Sequence, residues 1–358
     1  MARPTTDAIR EKIRSIFGNN TEIGSFTSLA GDASSRRYYR TRLKGNSVPP
    51  SAIVMELPEG SSLPLSSEEL AVFKEPPQEL PFVSVQRFLS KVGVRVPKVY
   101  GYWKQEGLVL LEDLGDTLLW DRVQGLRSLD VLTWYRKAID QLLVLQVRGT
   151  KEQDDSCIAF QQRFDDRLYM WEFDHFLEYG LRKQPQIHVK PNEMDALRKI
   201  FEGVARALAS QLPCLNHRDY HSWNLMIRDG DVAIIDFQDA LLAPPQYDLA
   251  SLLNDRETDK VIVPELEEQL INYYLNRREA MGEPRDPRDE FVEIYRLSTI
   301  QRDLKVVGRF YYLDLVKGKP GYKKFIPATL RRLKRNLERM PRLKEVESIL
   351  SRQYREMQ

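Results

Sequence analysis

Two spacings of apolar residues divide the chain into an N-terminal and a C-terminal part. A first amphipathic helix, which Thr6 and Asp7 can cap, ends at Phe17, and the residues after it alternate between apolar and polar with the period of a β-strand. The predicted strands are Glu22–Leu29, Arg37–Leu43, Ala52–Leu57, Val96–Trp103 and Leu108–Leu111. A helix at Phe82–Val92 interrupts them, and the Pro-, Ser- and Glu-rich residues 58–81 read as a loop. We therefore expect a small antiparallel sheet.

From Arg127 onward the apolar residues recur mainly at helical spacing. The predicted helices cover about 130–147, 160–180, 192–211, 247–254, 264–282, 288–317 and 325–357. One hairpin interrupts them, with Asp229-Gly230 as its turn. The pattern predicts an α+β protein of two lobes, in which residues 1–111 form a nucleotide-binding sheet lobe and residues 112–358 a helical catalytic lobe.

Asp219, Asn224 and Asp236 are the candidate catalytic residues. In kinase sites one Asp accepts the proton of the acceptor hydroxyl, an Asn five residues later binds magnesium, and a further Asp binds the metal that bridges the phosphates. Carboxylate and amide oxygens suit Mg²⁺. An isolated Asp or Asn is usually a turn or capping residue, but three of them at this spacing, followed by an apolar strand, indicate phosphoryl transfer with ATP and Mg²⁺.

Composition narrows the functional class. The 358 residues are 42% hydrophobic and 30% charged, with a formal net charge of +2, so no overall field favours nucleic acid or a membrane surface. The two cysteines form no CxxC motif, and no apolar run has the length of a signal core or a membrane span. We expect a cytoplasmic monomer that acts on a small molecule.

Three further polar residues flank the candidate site. His217 reads as a histidine that hydrogen-bonds backbone rather than as a base. Asp248 begins a helix, and capping that helix is its simplest role. His221 lies two residues after Asp219.

The chain resembles the aminoglycoside phosphotransferase/choline kinase superfamily, which has a protein-kinase-like fold, and within it the anomeric sugar kinases of cell-wall recycling (N-acetylmuramate/N-acetylglucosamine kinase). The segments that carry the resemblance, besides the catalytic stretch, are Gly31–Arg40, Ile53–Glu56, Leu110–Asp116, Asp236–Ala240, Gln301–Lys305 and Gly318–Tyr322. Protein kinases carry Lys at the position of His221, whereas the similar small-molecule kinases carry His. The resemblance therefore implies a metabolite as the acceptor, and it gives Asp248 the role of bracing the catalytic loop.

The resemblance also implies where the nucleotide binds. The nucleotide base would contact the backbone of Glu112 to Leu114, and a turn between the first two predicted strands would cover the phosphates. That turn offers backbone N–H groups and hydroxyls but lacks the GxGxxG spacing. The residues assigned to it are Gly31, Asp32, Ser34, Ser35 and Arg37.

The third strand departs from the general kinase pattern. Met55 occupies the position of the lysine that reaches the phosphates, and Gln86 lies about where the glutamate partner of that lysine would be. Arg36 or Arg37 could supply the missing charge, because a guanidinium binds phosphate in a bidentate manner. An Arg pair that only decorates an exposed strand is the alternative.

The acceptor site is less well marked. A helix around 171–176 mixes aromatic and acidic residues, which suits a sugar, and it makes Glu172 and Asp174 candidates, although aromatics at helical spacing are more often core. Gln238 and Asp239 could face either the metals or the sugar. From Lys317 to the end there are thirteen basic and four acidic residues, either a solvated face or an attraction for an anionic substrate.

The catalytic spacing predicts an ATP-dependent kinase, and the resemblance implies that it phosphorylates the anomeric hydroxyl of N-acetylmuramate or N-acetylglucosamine. Choline, homoserine or an aminoglycoside is the alternative acceptor. A non-catalytic nucleotide-binding module is the alternative of a different class, and Met55 is the residue that motivates it.

Overall fold

The N-terminal part forms a five-stranded antiparallel sheet. The computed structural model describes residues 5–29, 36–58 and 79–358. The strands are β1 (Glu22–Leu29), β2 (Arg37–Lys44), β3 (Ser51–Glu56), β4 (Val99–Trp103) and β5 (Leu108–Glu112), in the order β1-β2-β3-β5-β4. Helix α1 is Thr6–Phe17, and α2, before β4, is Pro81–Lys91. The predicted sheet is confirmed, with strand ends that differ by up to three residues.

Both faces of the central strand β3 are covered, because successive side chains point to opposite sides of a strand. Ala52 and Val54 pack with Ile9 and Ile13 of α1. Ile53 and Met55 belong to the larger core that α2 shares with the C-terminal part. The sheet is thereby fixed between α1 and the rest of the molecule.

The first helix begins one residue earlier than the sequence analysis expected. Thr5 is the N-cap, and its Oγ1 accepts a hydrogen bond from the backbone N–H of Ala8 at 3.3 Å. Thr6 and Asp7 lie in the first turn instead, where the carboxylate of Asp7 still interacts favourably with the helix dipole. A cap can bond only the N–H groups two or three residues ahead, and here the extended backbone is at Thr5.

The C-terminal part is mainly helical. Its α-helices are α3 (Leu119–Val123), α4 (Ser128–Leu143), α5 (Gly149–Lys151), α6 (Asp166–His175), α7 (Pro191–Ala209), α8 (Gln246–Leu253), α9 (Pro264–Ala280), α10 (Arg288–Leu315), α11 (Ile326–Leu337) and α12 (Lys344–Gln353). Wider π-helical turns follow α4 at Val144–Arg148 and α6 at Phe176–Arg182. Among the described residues, no helix is long and apolar enough to cross a bilayer.

The stretch expected to be helical over 325–357 is broken. Helix α11 ends at Leu337, a 3-10 turn follows at Pro341–Leu343, and α12 begins at Lys344. Pro341 has no N–H for a hydrogen bond to the preceding turn, so a continuous helix cannot pass through it. The periodicity identified the helical segments but not this interruption.

Two short sheets support the catalytic segment. Strand β6 (Cys214–Asn216) pairs antiparallel with β9 (Leu241–Ala243), a pair that the sequence analysis did not predict. Strand β7 (Leu225–Arg228) pairs with β8 (Asp231–Ile234) as the predicted hairpin. Its turn residues Asp229 and Gly230 both have positive φ, 53° and 80°, which is the conformation that an Asp-Gly turn favours.

Candidate active site

The catalytic loop runs from the end of β6 to the start of β7 and carries Asp219. Asp248 in α8 holds its first residues: its carboxylate accepts hydrogen bonds from the backbone N–H groups of His217 at 2.5 Å and Arg218 at 3.0 Å. Burial raises the pKa of Asp248 to about 6, an effect that the hydrogen bond from the His217 backbone and the charge of Arg302 partly offset. Asp248 thus braces the loop through two backbone bonds.

The two loop histidines are both buried. His217 donates from Nε2 to the carbonyl of Ile235 at 2.9 Å, and its Nδ1 accepts from the backbone N–H of Asp219 at 3.3 Å. Burial lowers the pKa of His221 to about 4, so its imidazole is neutral near pH 7. His221 therefore places no positive charge beside Asp219.

Asn224 and Asp236 lie at the same end of the β7–β8 hairpin. The amide N–H₂ of Asn224 donates to the carbonyl of Asp219 at 3.0 Å, which leaves its side-chain oxygen as an acceptor. Asp236 is exposed, and Gln238 donates to its Oδ1 at 2.8 Å. An amide oxygen and a carboxylate are hard ligands, so the residues present fit Mg²⁺.

A cluster of buried charges surrounds Asp219 on the side of α10. Lys305 Nζ lies 3.7 Å and Arg302 Nη2 3.6 Å from Asp219 Oδ1. Burial alone would raise the pKa of Asp219, but Lys305 and Arg302 outweigh it and lower the pKa well below its usual range. Asp219 is therefore ionised and held in position. Its side chain remains 42% exposed.

Arg302 also fixes the loop backbone. Its Nη1 donates to the carbonyl of Arg218 at 2.6 Å, and its Nη2 lies 3.5 Å from Asp255. Arg218 has a φ of 79°, an unfavourable value for a residue with a side chain. The bond from Arg302 helps to hold this backbone conformation next to Asp219.

Sequence reasoning assigned no role to Arg302 or Lys305. The segment that contains them was noted only for its resemblance to sugar kinases. A usable signal was present, since Gln301, Arg302, Asp303 and Lys305 interrupt the apolar pattern of a long helix. Four polar residues in one turn and a half of a buried helix are costly unless they have partners.

The candidate acceptor residues Glu172 and Asp174 have different surroundings. Glu172 is buried and is bound by Arg218 at 3.2 Å, Lys305 at 3.2 Å and the amide of Gln301 at 2.8 Å. Asp174 is partly exposed and pairs with Arg198 of α7. The structure thus brings Glu172, but not Asp174, into the charge cluster of Asp219.

Gln238 and Asp239 form a short 3-10 turn after Asp236. Gln238 is buried and holds Asp236, as described above, and its amide also lies 3.4 Å from Asp239. The charge of Asp239 contributes to the raised pKa of Arg218. Gln238 therefore faces the proposed metal ligand.

The segment that links the lobes is fixed from the sheet side. Arg40 of β2 contacts Asp113 at 2.8 Å and Asp116 at 2.7 Å, while Glu112 binds Arg95 at 2.6 Å. Leu114 packs with Met226 and Ala233 of the hairpin, beside Leu118 and Ile235. This small apolar cluster lies where the resemblance implies the nucleotide base.

The expected phosphate-binding residues are only partly described. Gly31, Asp32, Ser34 and Ser35 lie outside the described residues. Arg37 is exposed on β2.

The side chains on the cleft side of β2 and β3 are better defined. Tyr38 interacts with the side chain of Arg36 and with the charge of Asp236. Met55 is fully buried, and Gln86 donates to Ser90 at 2.9 Å and to the carbonyl of Pro97 at 3.0 Å. Met55 and Gln86 are thus core residues that form no ion pair.

Comparison with known proteins assigns the family. Residues 25–286 match the family described as "Phosphotransferase enzyme family". The chain belongs to this family. As a phosphotransferase it is an enzyme, in agreement with the kinase-like geometry of Asp219, Asn224 and Asp236.

Curated relatives of this phosphotransferase carry one name. The chain is 28% identical to the N-acetylmuramate/N-acetylglucosamine kinase of Pseudomonas putida, over 95% of this chain and 93% of the relative. It is 30% identical to the protein of the same name from Caulobacter vibrioides, over 90% and 91%. Similarity therefore extends over nearly the whole of both chains.

Solved structures confirm the predicted fold. A choline kinase from Streptococcus pneumoniae matches with a TM-score of 0.56 at 16% identity, covering 93% of this chain and 97% of the other. A streptomycin–ATP complex of an aminoglycoside phosphotransferase matches with a TM-score of 0.56 at 15% identity, over 90% and 97%. At these identities the likeness concerns the fold alone.

Proposed function

We propose that this phosphotransferase is an ATP- and Mg²⁺-dependent amino sugar kinase that phosphorylates the anomeric hydroxyl of N-acetylmuramate or N-acetylglucosamine. The observation that carries the proposal is the agreement of four curated relatives on this name, at 28 to 30% identity and over 86 to 93% of their own length. We expect the reaction to take place in the cytoplasm, where ATP is available. We expect the enzyme to work as a monomer.

The charges around Asp219 support a sugar rather than a cationic acceptor. Lys305 and Arg302 lie within 4 Å of the Asp219 carboxylate, and the neighbouring Glu172 is already paired with Arg218 and Lys305. A quaternary amine or a polycationic aminoglycoside would meet the like charge of Lys305 beside Asp219, which disfavours its binding. A neutral or anionic sugar would not.

The chemistry of this chain's own residues follows from the geometry. Asp219 would accept a hydrogen bond from the acceptor hydroxyl and orient its oxygen towards the γ-phosphorus. As the new O–P bond forms and the bond from phosphorus to the β,γ-bridging oxygen breaks, the hydroxyl proton passes to Asp219 and ADP leaves with the bonding electrons. Asn224 and Asp236 would hold Mg²⁺, which supplies charge compensation on the phosphates when bound.

Nucleotide binding draws on both lobes in this proposal. The backbone of Glu112 to Leu114 would contact the base above the apolar cluster of Leu114 and Met226. Gly31 to Arg37 would cover the phosphates with backbone N–H groups. ATP-bound family neighbours support nucleotide binding of this kind.

Two alternatives remain testable in one assay. Another small acceptor, such as choline or homoserine, would keep the fold and the mechanism but change the substrate. A non-catalytic module would bind nucleotide and transfer nothing, as Met55 in place of a lysine would allow. The presence of Asp219, Asn224 and Asp236 near one another favours an active enzyme. A protein that only binds nucleotide has no physical reason to keep a catalytic carboxylate beside two magnesium ligands.

The experiment is an ATP-consumption assay with Mg²⁺ across N-acetylmuramate, N-acetylglucosamine, choline, homoserine and an aminoglycoside. We expect turnover with the amino sugars and a loss of at least about 10³-fold in kcat for Asp219→Asn, while nucleotide binding persists. The methyl glycoside of N-acetylglucosamine, whose anomeric oxygen is blocked, is the matched acceptor control. Phosphorylation of that glycoside would refute the anomeric assignment, and turnover of choline alone would refute the sugar assignment.

A further inference from the structure

Lys305 is the accessible cation of the charge cluster. Its side chain is 17% exposed, whereas that of Arg302, the other cation within 4 Å of the Asp219 carboxylate in the described part of the chain, is 2% exposed. Both residues lie on α10, on the side that faces the catalytic loop. Lys305 is therefore more accessible than Arg302 to a molecule bound beside Asp219.

The partners of Lys305 leave it a donor for a substrate. An ammonium group carries three N–H donors. Glu172 accepts one of them, with its Oε1 3.2 Å from Nζ, and Asp219 Oδ1 lies at 3.7 Å. An acceptor hydroxyl bound to Asp219 would lie within a few ångströms of the same ammonium.

Neutralising Glu172 does not by itself explain Lys305. Arg218 and the amide of Gln301 already bind the two oxygens of Glu172. Arg302 likewise holds the loop backbone at Arg218. What Lys305 adds is a partly exposed positive charge beside the Asp219 carboxylate.

At two other described positions that could carry this charge, the residue is not cationic. His221 is neutral near pH 7, and Met55 is an apolar core residue. Arg36 interacts with Tyr38. In the described part of the chain, the cations within 4 Å of the Asp219 carboxylate are therefore Arg302 and Lys305, both from α10.

We propose that Lys305 is a further residue of the active site, which holds the Asp219 carboxylate in position and donates a hydrogen bond to the acceptor oxygen beside the reacting hydroxyl. This inference rests on the proposed transfer to a hydroxyl at Asp219. Lys305 keeps its proton throughout, because the proton of the acceptor passes to Asp219. Its positive charge stabilises the negative charge that develops on the attacking oxygen and the transferring phosphoryl group.

The test compares substitutions at Lys305 with a surface control. Lys305→Met removes the charge and keeps the length, Lys305→Arg keeps the charge, and Lys305→Ala makes room for an added amine. Lys323→Ala is the control, since Lys323 is half-exposed and pairs only with Asp314 at 3.0 Å among the contacts described. The readouts are kcat, KM for MgATP, KM for the acceptor and the melting temperature.

We expect Lys305→Met to lower kcat by about 10²- to 10³-fold, the effect of removing one preorganised donor. KM for the acceptor should rise, while KM for MgATP should change by less than about 3-fold, since Lys305 faces the acceptor. Methylamine should restore part of the kcat of Lys305→Ala, and tetramethylammonium, which has no N–H donor, should not. Lys305→Arg should retain more activity than Lys305→Met.

Misfolding is separated from lost chemistry by the melting temperature and by nucleotide binding. Lys305→Met leaves Glu172 paired with Arg218 and bonded to Gln301, so the buried carboxylate keeps a cation. We expect Lys305→Met to melt close to the wild type and to bind MgATP normally while kcat falls. A loss of kcat matched by an equal loss of nucleotide-binding protein would show that Lys305 is only structural and would overturn the proposal.

The test of Lys305 does not depend on which acceptor the enzyme uses. If the wild type phosphorylates no amino sugar, the proposed function fails, and the variants are compared on whichever acceptor reacts, or on water as the acceptor in ATP hydrolysis. A kcat of Lys305→Met within about twofold of the wild type, without rescue of Lys305→Ala by methylamine, would overturn the role of Lys305 in each case.

Discussion

Asp219 acts within a set of residues drawn from three distant parts of the chain. Glu172 comes from α6, Arg218 from the catalytic loop, and Arg302 and Lys305 from α10, and all of these lie within one connected set of ion pairs. The charges of Lys305, Arg302 and Arg218 keep the pKa of Asp219 low despite its desolvation. At the residue scale, the position and the ionised state of the Asp219 carboxylate are thus determined by its basic neighbours.

Arg36 gives a test at this scale. Its side chain interacts with Tyr38, which is also influenced by the charge of Asp236. We expect Arg36→Ala to lower kcat/KM for MgATP by about 10- to 100-fold, the scale of one charge-assisted contact to phosphate. Arg42→Ala is the matched control, since Arg42 is an exposed arginine further along β2, and it should stay within about twofold of the wild type. Steady-state kinetics with varied MgATP would show this, and equal losses in both variants would contradict it.

Helix α10 can place Lys305 beside Asp219 because it lies very close to the π-helical turn after α6. A Cβ built on Gly308 would lie 2.7 Å from the Cα and 2.9 Å from the backbone N of Phe176. Real Cβ atoms do not approach backbone so closely, so the glycine is required for this contact. Gly308 lies three residues after Lys305, so this contact fixes the position of Lys305 relative to Asp219.

Gly308→Ala is therefore expected to destabilise the protein and to lower activity together. Overpacking against backbone costs about 1–3 kcal/mol, and any shift of α10 would move Lys305 away from Asp219. Gly203→Ala is the control, since Gly203 lies in the interior of α7 with open space around it. That change should stabilise the protein by about 0.5–1 kcal/mol. Urea denaturation and kcat would decide, and a stable, active Gly308→Ala variant would contradict the role of this contact.

Across the whole molecule, a buried ion pair connects the C-terminal helices with the site. Arg332 of α11 contacts Asp303 of α10 at 2.6 Å, and both side chains are almost completely buried. Arg332 also donates to the carbonyl of Arg256 at 3.0 Å, next to Asp255, which contacts Arg302. The basic C-terminal segment thus includes at least one arginine with a structural partner.

Removing one member of this pair should be far more costly than removing both. Arg332→Met leaves Asp303 as an uncompensated buried charge, and we expect a loss of about 3–5 kcal/mol in the free energy of unfolding. Asp303→Leu combined with Arg332→Met should recover most of that loss. Urea denaturation followed by circular dichroism measures both variants. If the double variant is as unstable as Arg332→Met, the loss of unfolding free energy comes from the missing bond to the Arg256 carbonyl instead.

The sequence by itself determined the local elements and the central catalytic spacing. Alternation predicted β1 to β5, helical periodicity predicted most of the long helices, and the Asp-Gly turn predicted the β7–β8 hairpin, because these patterns depend on neighbours within a few residues. The spacing of Asp219, Asn224 and Asp236 indicated phosphoryl transfer for the same reason. The break at Pro341 and the pairing of β6 with β9 were missed.

Only the tertiary structure decided which distant side chains surround Asp219. Lys305 and Arg302 are separated from it by more than eighty residues of sequence, and no periodic pattern specifies that their helix crosses the catalytic loop. The same packing places Glu172 within the charge cluster and leaves Asp174 in a surface ion pair. Local sequence fixes which residues share a helix face, whereas contacts between helices depend on how the whole core packs, down to a single glycine at position 308.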